Sequence, residues 1–355
     1  MRKKLLAVAL SSVMALSLFA CGSSDGEAST TTKAAENKTT AEATTADTAD
    51  ETTGTEEDTT EFVAPTPEMA DPEALPETPF AHITFDGETD EGYKAIVQTS
   101  EFDSSVLTGA TFGLTDATDA TLTYEEGPVG KCLFIDGTFG LDLGLSATNT
   151  DAYTISFWMN ADRLADFGAT LQIGYDIGMS DAIDTNNVTW MNITQTTFAD
   201  GATKTFPLIW SRNEASNAAD GTVCWPWMYA FDMSIHGKRE WVMVTVVCSG
   251  ESQASPVGTT TVGAQLYLNG MKVYDSADNF TNHTYWEEYT WDASLAPNIM
   301  QPGDKTFESY FGINYWDTVF KGYVDDLYVY DTALTAGQVA SLYQLGNASC
   351  TTGVK

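Results

Sequence analysis

Basic residues and histidines are scarce in this sequence. Lysine and arginine together number 16 against 50 aspartates and glutamates, which gives 355 residues a formal net charge of -34 at pH 7. Nucleic acids and anionic lipid surfaces are bound through basic patches, so neither is an expected partner. The three histidines, His82, His236 and His283, leave little imidazole for zinc binding or acid–base chemistry.

Cysteine is also rare, and no CxxC pair or Cys/His spacing typical of a zinc site occurs. After Cys21 the chain has four cysteines, Cys132, Cys224, Cys248 and Cys350, which allow three disulfide connectivities. The sequence does not choose among them. Cys132 and Cys248 lie in apolar strand-like runs, where a free cysteine behaves as a small buried hydrophobe. We therefore expect these two to be buried thiols.

Apolar runs are short, and the one at the N-terminus is barely long enough to span a bilayer. It reads MRKKLLAVALSSVMALSLFACGSS, a basic start and an apolar stretch ending at Cys21. This is similar to a bacterial lipoprotein signal, which predicts that residues 1–20 are removed and Cys21 carries the lipid. The alternative is an ordinary signal peptide with a chance cysteine. The expected location is the extracellular face of the bacterial membrane, with the lipid as the sole membrane contact.

Residues 21–79 have few aromatics and are rich in threonine, alanine, glutamate and aspartate. Only Lys33 and Lys38 oppose the acids between residues 22 and 79. Such a segment buries too little apolar surface to offset its ordering entropy, so we predict a disordered tether. Its function is that of a spacer across the cell wall or of a plain solubilising linker.

Residues 80–346 have one composition and many short strand-like runs between turn signals. In YTISFWMN, residues 153–160, large apolar residues alternate with Thr154, Ser156, Trp158 and Asn160, the period of a half-buried strand. Asn269-Gly270 predicts a hairpin. The one helical pattern has Thr335 as N-cap and Gly346 as C-cap. The predicted fold is all-β, a two-sheet antiparallel jelly-roll sandwich, followed by a tail at residues 347–355.

Six motifs occur in an order that resembles the laminin G-like branch of the concanavalin A-like jelly rolls. They are KCLFIDGTFGLDL, YTISFWMN, REWVMVTVV, LYLNGMKVYD, FGINYW and FKGYVDDLYVYDTALTAGQVASLY. The closing block is the most specific, with the pattern Gly322, Val324, Asp325, Asp326, Leu327, Val329, Tyr330, Ala333, Leu334, Leu342 and Tyr343. The resemblance implies a non-catalytic module that binds glycans or proteins. A long loop-rich segment between the second and third motifs departs from the family pattern.

Two adjacent carboxylates, Asp325 and Asp326, interrupt the last strand-like run. Strict alternation places Asp325 on the inner face with Leu327 and Val329, and a bulge at the pair would turn Asp326 to solvent. The resemblance implies one structural calcium that ties the first strand to the last. Its expected ligands are Asp86, Asp90 and Asp325. The alternative is that Asp325 accepts backbone hydrogen bonds without an ion.

Catalysis by paired acids is not favoured. Related laminarinases carry Glu, Asp and Glu at alternating strand positions, and no E-x-D-x-x-E run occurs here. Glu287 and Glu288 are adjacent, so on a strand they would face opposite sides. We therefore predict that the chain is not an enzyme.

Two segments combine aromatic density with turn residues: VCWPWMYAF and NHTYWEEYTWD. Sugars stack on flat aromatic rings while their hydroxyls bond acids and amides. The candidate carbohydrate-binding residues are Trp225, Trp227, Trp286, Tyr289 and Trp291, and the alternative is that these rings belong to the core. The sequence thus predicts a lipid-anchored binding module for carbohydrate. A protein-interaction scaffold that binds a cell-surface protein is the alternative, and a glycoside hydrolase relative is less favoured.

Overall fold

The computed structural model describes residues 68–87, 92–98, 113–148, 151–162, 168–175, 188–197, 203–212, 227–229, 239–254, 260–275, 306–314 and 317–354. In chain order these ranges contain β1 (Ala81–Ile83), β2 (Lys94–Gln98), β3 (Leu114–Asp116), β4 (Thr123–Glu126), β5 (Lys131–Asp136), β6 (Gly140–Asp142), β7 (Tyr153–Ala161), β8 (Gly168–Tyr175), β9 (Val188–Thr197), β10 (Thr203–Arg212), β11 (Trp227–Tyr229), β12 (Trp241–Ala254), β13 (Thr260–Leu268), β14 (Met271–Asp275), β15 (Phe307–Phe311), β16 (Lys321–Tyr330) and α1 (Ala336–Leu345). Within these ranges no helix is long and apolar enough to cross a membrane.

The strands form two antiparallel sheets of eight strands each. Sheet A has the order β14-β13-β12-β7-β16-β5-β4, with β1 also paired to β16. Sheet B has the order β11-β10-β9-β8-β15-β6-β2-β3. The predicted two-sheet antiparallel jelly-roll sandwich is thereby confirmed.

The inner faces of the two sheets share an apolar core. Phe157 of β7 packs edge to face against Phe311 of β15, with ring centroids 5.3 Å apart. Phe157, Phe311 and Met159 are fully buried, and Ile155 is 2% exposed. The alternation predicted for residues 153–160 therefore sets the inner face correctly, and burial of such rings and aliphatic chains is the main favourable term in folding.

The predicted hairpin joins β13 to β14. Asn269 and Gly270 both have positive φ, 50° and 79°, as a type I′ turn requires. Asn269 also fixes the turn to β12: its N–H donates to the Met243 carbonyl and its side-chain oxygen accepts from the Met243 N–H, both at 2.9 Å.

Helix α1 begins where the sequence predicts. The Thr335 hydroxyl accepts from the Gln338 N–H and the Gln338 side chain accepts from the Thr335 N–H, which makes a capping box. Gly346 is the C-cap, but its φ of -88° is open to any residue. Glycine is required at this position for a steric reason, since a Cβ there would lie 2.5 Å from Cζ2 of Trp158.

The outer face of sheet A is covered by α1 and the C-terminal residues. A second apolar cluster, which we call the outer cluster, consists of Cys132, Trp158, Trp241, Met243, Val247, Tyr267, Tyr330, Leu334, Val339, Leu342 and Cys350. Trp158 stacks on Tyr343 of the helix at 5.4 Å. All nine residues of β7 are consequently buried, which corrects the expectation of a half-buried strand.

Residues on both sides of the expected domain, 80–346, form hydrogen bonds with it. Upstream, Glu73 donates its N–H to the Gly337 carbonyl at 3.0 Å, and its carboxylate accepts from the Thr335 hydroxyl at 2.6 Å. Downstream, the Thr352 carbonyl accepts from the Trp241 indole at 3.0 Å and from the Asn160 amide at 3.2 Å. Residues 68–79 and 347–354 thus lie against sheet A and α1. Residues 1–67, with the predicted signal peptide, Cys21 and most of the linker, lie outside the described residues.

Candidate functional site

The Asp325-Asp326 pair lies at a bulge in β16. On one side of β16 the register with β7 shifts between Asp325 and Tyr328. On the other side the partner changes, from β5 opposite residues 321–324 to β1 opposite residues 327–329. Asp326 has a φ of 50°, a left-handed conformation that a bulge accommodates. The predicted bulge is therefore present, at the junction of four strands.

The bulge decides which face each carboxylate occupies. Asp325 pairs with Trp158 and so lies on the outer face of sheet A, while Val329 pairs with Ile155 on the inner face. The expectation that Asp325 shares the inner face with Leu327 and Val329 is wrong, because the extra residue reverses the alternation between them. Asp326 is 3% exposed, so its expected exposure to solvent is also wrong.

Asp325 is a fully buried carboxylate with one satisfied oxygen. Its Oδ2 accepts from the Val129 N–H at 2.8 Å, and among the described residues Oδ1 has no hydrogen-bond partner. Burial raises the pKa of Asp325 to about 8, the Val129 bond opposes that rise, and the charges of Asp326 and Asp86 add to it. The fold therefore holds this carboxyl in an environment that disfavours its ionised form.

Asp326 faces β1. Its Oδ1 lies 2.5 Å from Nε2 of His82, whose ring stacks on Tyr328 with centroids 4.0 Å apart. Burial, followed by the charge of Asp326, raises the pKa of Tyr328 well above its ordinary value. This contact ties the first strand of sheet A to the last.

Asp86 and the turn between β4 and β5 complete the surroundings of Asp325. The Asp86 carboxylate accepts from the Lys131 N–H at 2.5 Å, and the turn is closed by a bond from the Gly127 N–H to the Gly130 carbonyl at 3.0 Å. A Cβ at Gly127 would collide with Asp325, and one at Gly130 would collide with Asp86. Glycine at both positions lets the turn approach the two carboxylates closely.

The three predicted calcium ligands are only partly described. Asp86 and Asp325 lie on either side of the β4–β5 turn, and Asp90 falls outside the described residues. No group of three His, Cys, Asp or Glu side chains suited to a metal occurs within the part of the chain that the structure describes. The unpartnered, buried Oδ1 of Asp325 nevertheless fits a cation, because calcium takes carboxylate and carbonyl oxygens and would offset the repulsion between the acids.

Most of the predicted carbohydrate-binding residues also fall outside the described ranges. Trp225, Trp286, Tyr289 and Trp291 do so, whereas Trp227 begins β11 at the edge of sheet B. Its backbone pairs with Trp210 of β10. The structure thus places one of the five predicted residues, and it brings that residue into register with aromatics that the sequence motifs did not single out.

A row of paired positions crosses seven strands of sheet B. In order the positions are Lys94, Asp142, Tyr310, Gln172, Trp190, Trp210 and Trp227. Directly paired residues belong to one face of a sheet. Phe311, the neighbour of Tyr310, belongs to the inner face, so this set, which we call the sheet B row, belongs to the outer face.

The described part of the sheet B row is polar. Lys94 lies 2.7 Å from Asp116 and 3.8 Å from Asp142, and its hydrogen bond to Asp116 raises the pKa of its ammonium. Gln172 is 1% exposed, and neither of its amide atoms has a hydrogen-bond partner among the described residues. A buried amide without partners costs about 1–3 kcal/mol, so Gln172 is not explained by stability.

Comparison with known proteins leaves the family open: no family model and no curated protein matches this chain. Solved structures similar to it include domain 4 of AbnA, a GH43 extracellular arabinanase from Geobacillus stearothermophilus, in complex with arabinotriose. That match has 19% identity over 78% of this chain and 100% of that chain, with a TM-score of 0.46. The Ruminococcus gnavus IT-sialidase CBM40 bound to α2,3 sialyllactose matches at 13% identity over 62% and 98%, with a TM-score of 0.38. A SAP-like pentraxin from Limulus polyphemus matches at 11% identity over 72% and 84%, with a TM-score of 0.33. These likenesses are too distant to assign a function, and the laminin G-like resemblance stays a prediction.

Proposed function

We propose that this chain is a lipid-anchored binding module of the bacterial cell surface that recognises carbohydrate on the outer face of sheet B. The sheet B row carries the proposal. It places three tryptophan positions, an amide and a phenol in register across neighbouring strands. Aromatic rings take the C–H faces of sugars, and amides and acids bond their hydroxyls, so this composition suits a glycan.

The unpartnered amide of Gln172 supports the same function. A buried polar group without a partner requires an explanation, and a ligand would supply that partner for Gln172, which is 1% exposed, once the residues over it move. Gln172 pairs with Tyr310 on one side and Trp190 on the other, so it sits between the polar and the aromatic halves of the row. We infer binding rather than catalysis, since Asp325 and Asp326 are both buried on the other sheet.

The proposed site of lipid attachment is Cys21. Lipid attachment requires its thiol, so Cys21→Ser should release the protein from membranes into the soluble fraction. Continued detergent-dependent extraction of this variant would contradict the anchor without affecting the glycan proposal. Many anchored copies on one surface would also turn weak single sites into strong attachment.

A glycan and polysaccharide array tests the binding function, with the fragment that begins at residue 68 as probe. Arabinan and sialylated oligosaccharides belong on the array. Trp190→Ala and Trp210→Ala should abolish retention if the sheet B row is the site. Trp286→Ala and Trp291→Ala are the matched variants from the aromatic loop that the sequence motifs indicate. Loss of binding in the second pair alone would move the site to that loop.

A protein partner is the competing function. If no glycan is retained and a cell-surface protein is captured through the same tryptophans, the module is an adhesion scaffold. If the fragment binds no glycan and captures no cell-surface protein, both functions are contradicted. The array and the capture experiment use the same fragment, so a folding defect would be visible in both.

We further propose one structural calcium at Asp325, Asp86 and Asp90. The support is the buried, unpartnered Oδ1 of Asp325 beside a second carboxylate. Calcium bound there would stabilise the native state by mass action. The alternative without an ion is supported by the hydrogen bond from the Val129 N–H to Oδ2 of Asp325. Only Oδ1 distinguishes the two hypotheses, because that oxygen has no hydrogen-bond partner among the described residues.

A further inference from the structure

Cys132 and Cys350 converge on one carbonyl oxygen. The Cys132 Sγ–H donates to the Glu126 carbonyl at 3.6 Å, and the Cys350 Sγ–H donates to the same oxygen at 3.5 Å. Both cysteines belong to the outer cluster and both are buried, at 0% and 9% exposure. Cys248, by contrast, donates to the Asp151 carbonyl at 3.3 Å, away from either of them.

From this convergence we propose that Cys132 and Cys350 form a disulfide that joins the C-terminal tail to β5. Two sulfurs that lie 3.6 Å and 3.5 Å from one oxygen are at most about 7 Å apart, a separation that side-chain rotation together with a small shift of the tail can close. The tail is otherwise held by hydrogen bonds such as those to the Thr352 carbonyl. The bond would close a loop from residue 132 to residue 350, and the restriction of so long a loop in the unfolded chain stabilises the folded one.

The chemistry needs a disulfide donor, either a low-molecular-weight disulfide or a disulfide-carrying protein. One thiolate attacks a donor sulfur and forms a mixed disulfide, with release of the first donor thiolate. The second cysteine then attacks the protein sulfur of that mixed disulfide and expels the second donor thiolate. Two cysteine protons are lost, the donor is reduced by two electrons, and the two cysteines are oxidised by the same number.

Burial determines when this exchange occurs. Desolvation, with a smaller contribution from the charge of Asp325, raises the pKa of the Cys132 thiol to about 12. The thiolate is therefore scarce once the tail has docked, and exchange belongs to the stage before the outer cluster closes. After closure the same burial shields the bond from reductants.

Peptide mapping tests the pairing directly, because trypsin separates all five cysteines of the full-length chain. Cleavage after lysine and arginine puts Cys21 in the peptide 5–33, Cys132 in 132–163, Cys224 in 213–238, Cys248 in 240–272 and Cys350 in 322–355. The full-length chain is refolded with oxidised glutathione, its free thiols are alkylated and it is digested without reductant. We expect a linked mass of peptides 132–163 and 322–355 that disappears on reduction. Alkylation of both cysteines, or a link of either to Cys21, Cys224 or Cys248, would overturn the proposal.

Substitutions give a second, independent measurement. Reductant should lower the melting temperature of the oxidised wild type on the order of 5–10 °C. Cys350→Ser and Cys132→Ser should melt near the reduced wild type and lose the response to reductant. Cys248→Ser is the matched control, a buried cysteine whose replacement should leave that response intact. A wild-type melting temperature indifferent to reductant would count against the bond even if the serine variants fail to fold.

Discussion

The outer faces of the two sheets differ in what they bury, which is an apolar cluster on sheet A and the amide of Gln172, 1% exposed, on sheet B. Sheet A is covered by α1 and the C-terminal residues, which pack the outer cluster against Trp158. The sheet B row instead runs from an exposed Lys94 to the tryptophan positions of β9, β10 and β11. One face gains stability from a second core, while the other keeps a polar amide that stability does not require. This difference is the reason for proposing a structural role for the outer face of sheet A and binding on that of sheet B.

Truncation of Trp158, on the covered face of sheet A, should have the largest effect on stability. Trp158→Ala removes a ring that is 2% exposed and stacked on Tyr343, so the free energy of unfolding should fall by roughly 3–5 kcal/mol. Denaturant unfolding measures the loss. The folded fraction of this variant should bind glycan like the wild type, and a loss of affinity in that fraction would assign a binding role to sheet A.

The carboxyl of Asp325 should make the stability of sheet A depend on pH. Burial holds its pKa at about 8 rather than 3.8, so the folded chain binds this proton more tightly than the unfolded chain. Its contribution to stability is full below about pH 4 and is lost as the pH rises through about 8. With chelator at pH 8, Asp325→Asn should therefore exceed the wild type by roughly 1–3 kcal/mol.

Calcium at the proposed site should reverse that order, since the ion would favour the ionised carboxyl. Added calcium should raise the melting temperature of the wild type and leave Asp325→Asn unchanged, so that the variant then melts lower. Asp331→Asn, an exposed residue of the same segment, is the control and should follow the wild type throughout. A melting curve insensitive to both calcium and chelator would exclude the metal and leave the Val129 hydrogen bond as the role of Asp325.

Adding a methyl group at the C-cap of α1 should have a smaller effect on stability. Gly346→Ala places a methyl group 2.5 Å from the Trp158 ring, and such overpacking costs about 1–3 kcal/mol. Leu345→Ala, at a neighbouring residue that is 55% exposed, should change stability by less than about 0.5 kcal/mol. Equal unfolding midpoints for the two variants would mean that the helix does not press on Trp158.

The smallest change in stability is expected on sheet B. Gln172→Leu replaces an amide without partners by an apolar side chain, so stability should stay level or rise by up to about 1 kcal/mol while glycan binding is lost. Thr245→Val on sheet A is the matched comparison. It breaks a buried hydroxyl bond to Ser156 of 2.7 Å and should cost about 1–2 kcal/mol. Destabilisation by Gln172→Leu would make that amide a structural residue.

Local patterns predicted the elements whose structure is set by neighbouring residues. The alternation around Phe157, the turn at Asn269-Gly270 and the cap at Thr335 depend on a few adjacent side chains, and all three are present. The face of Asp325 was predicted wrongly, because a single inserted residue in β16 reverses alternation and no local signal marks its consequence.

The sheet B row and the contacts of residues 68–79 could not be predicted from local sequence. The row needs the register of seven strands, including a shift between Ala169 and Gln172 in β8 that brings Gln172 opposite Trp190. Tryptophan content near residues 190 and 210 was visible, but its alignment arises only from tertiary pairing. Glu73 contacts α1 by hydrogen bonds and Leu75 packs against the outer cluster, and contacts made by single residues in an acidic segment leave no pattern in its composition.

The position of β16 has a consequence for biosynthesis. This last strand, residues 321–330, is central in sheet A: β7 lies on one side of it, and β5 and β1 lie on the other. A ribosome must therefore release nearly the whole chain before the two halves of the sheet can be joined. Folds dominated by such distant pairings form slowly. Until β16 is synthesised, the two halves of sheet A stay unpaired, a delay compatible with the proposed export of the chain before it folds.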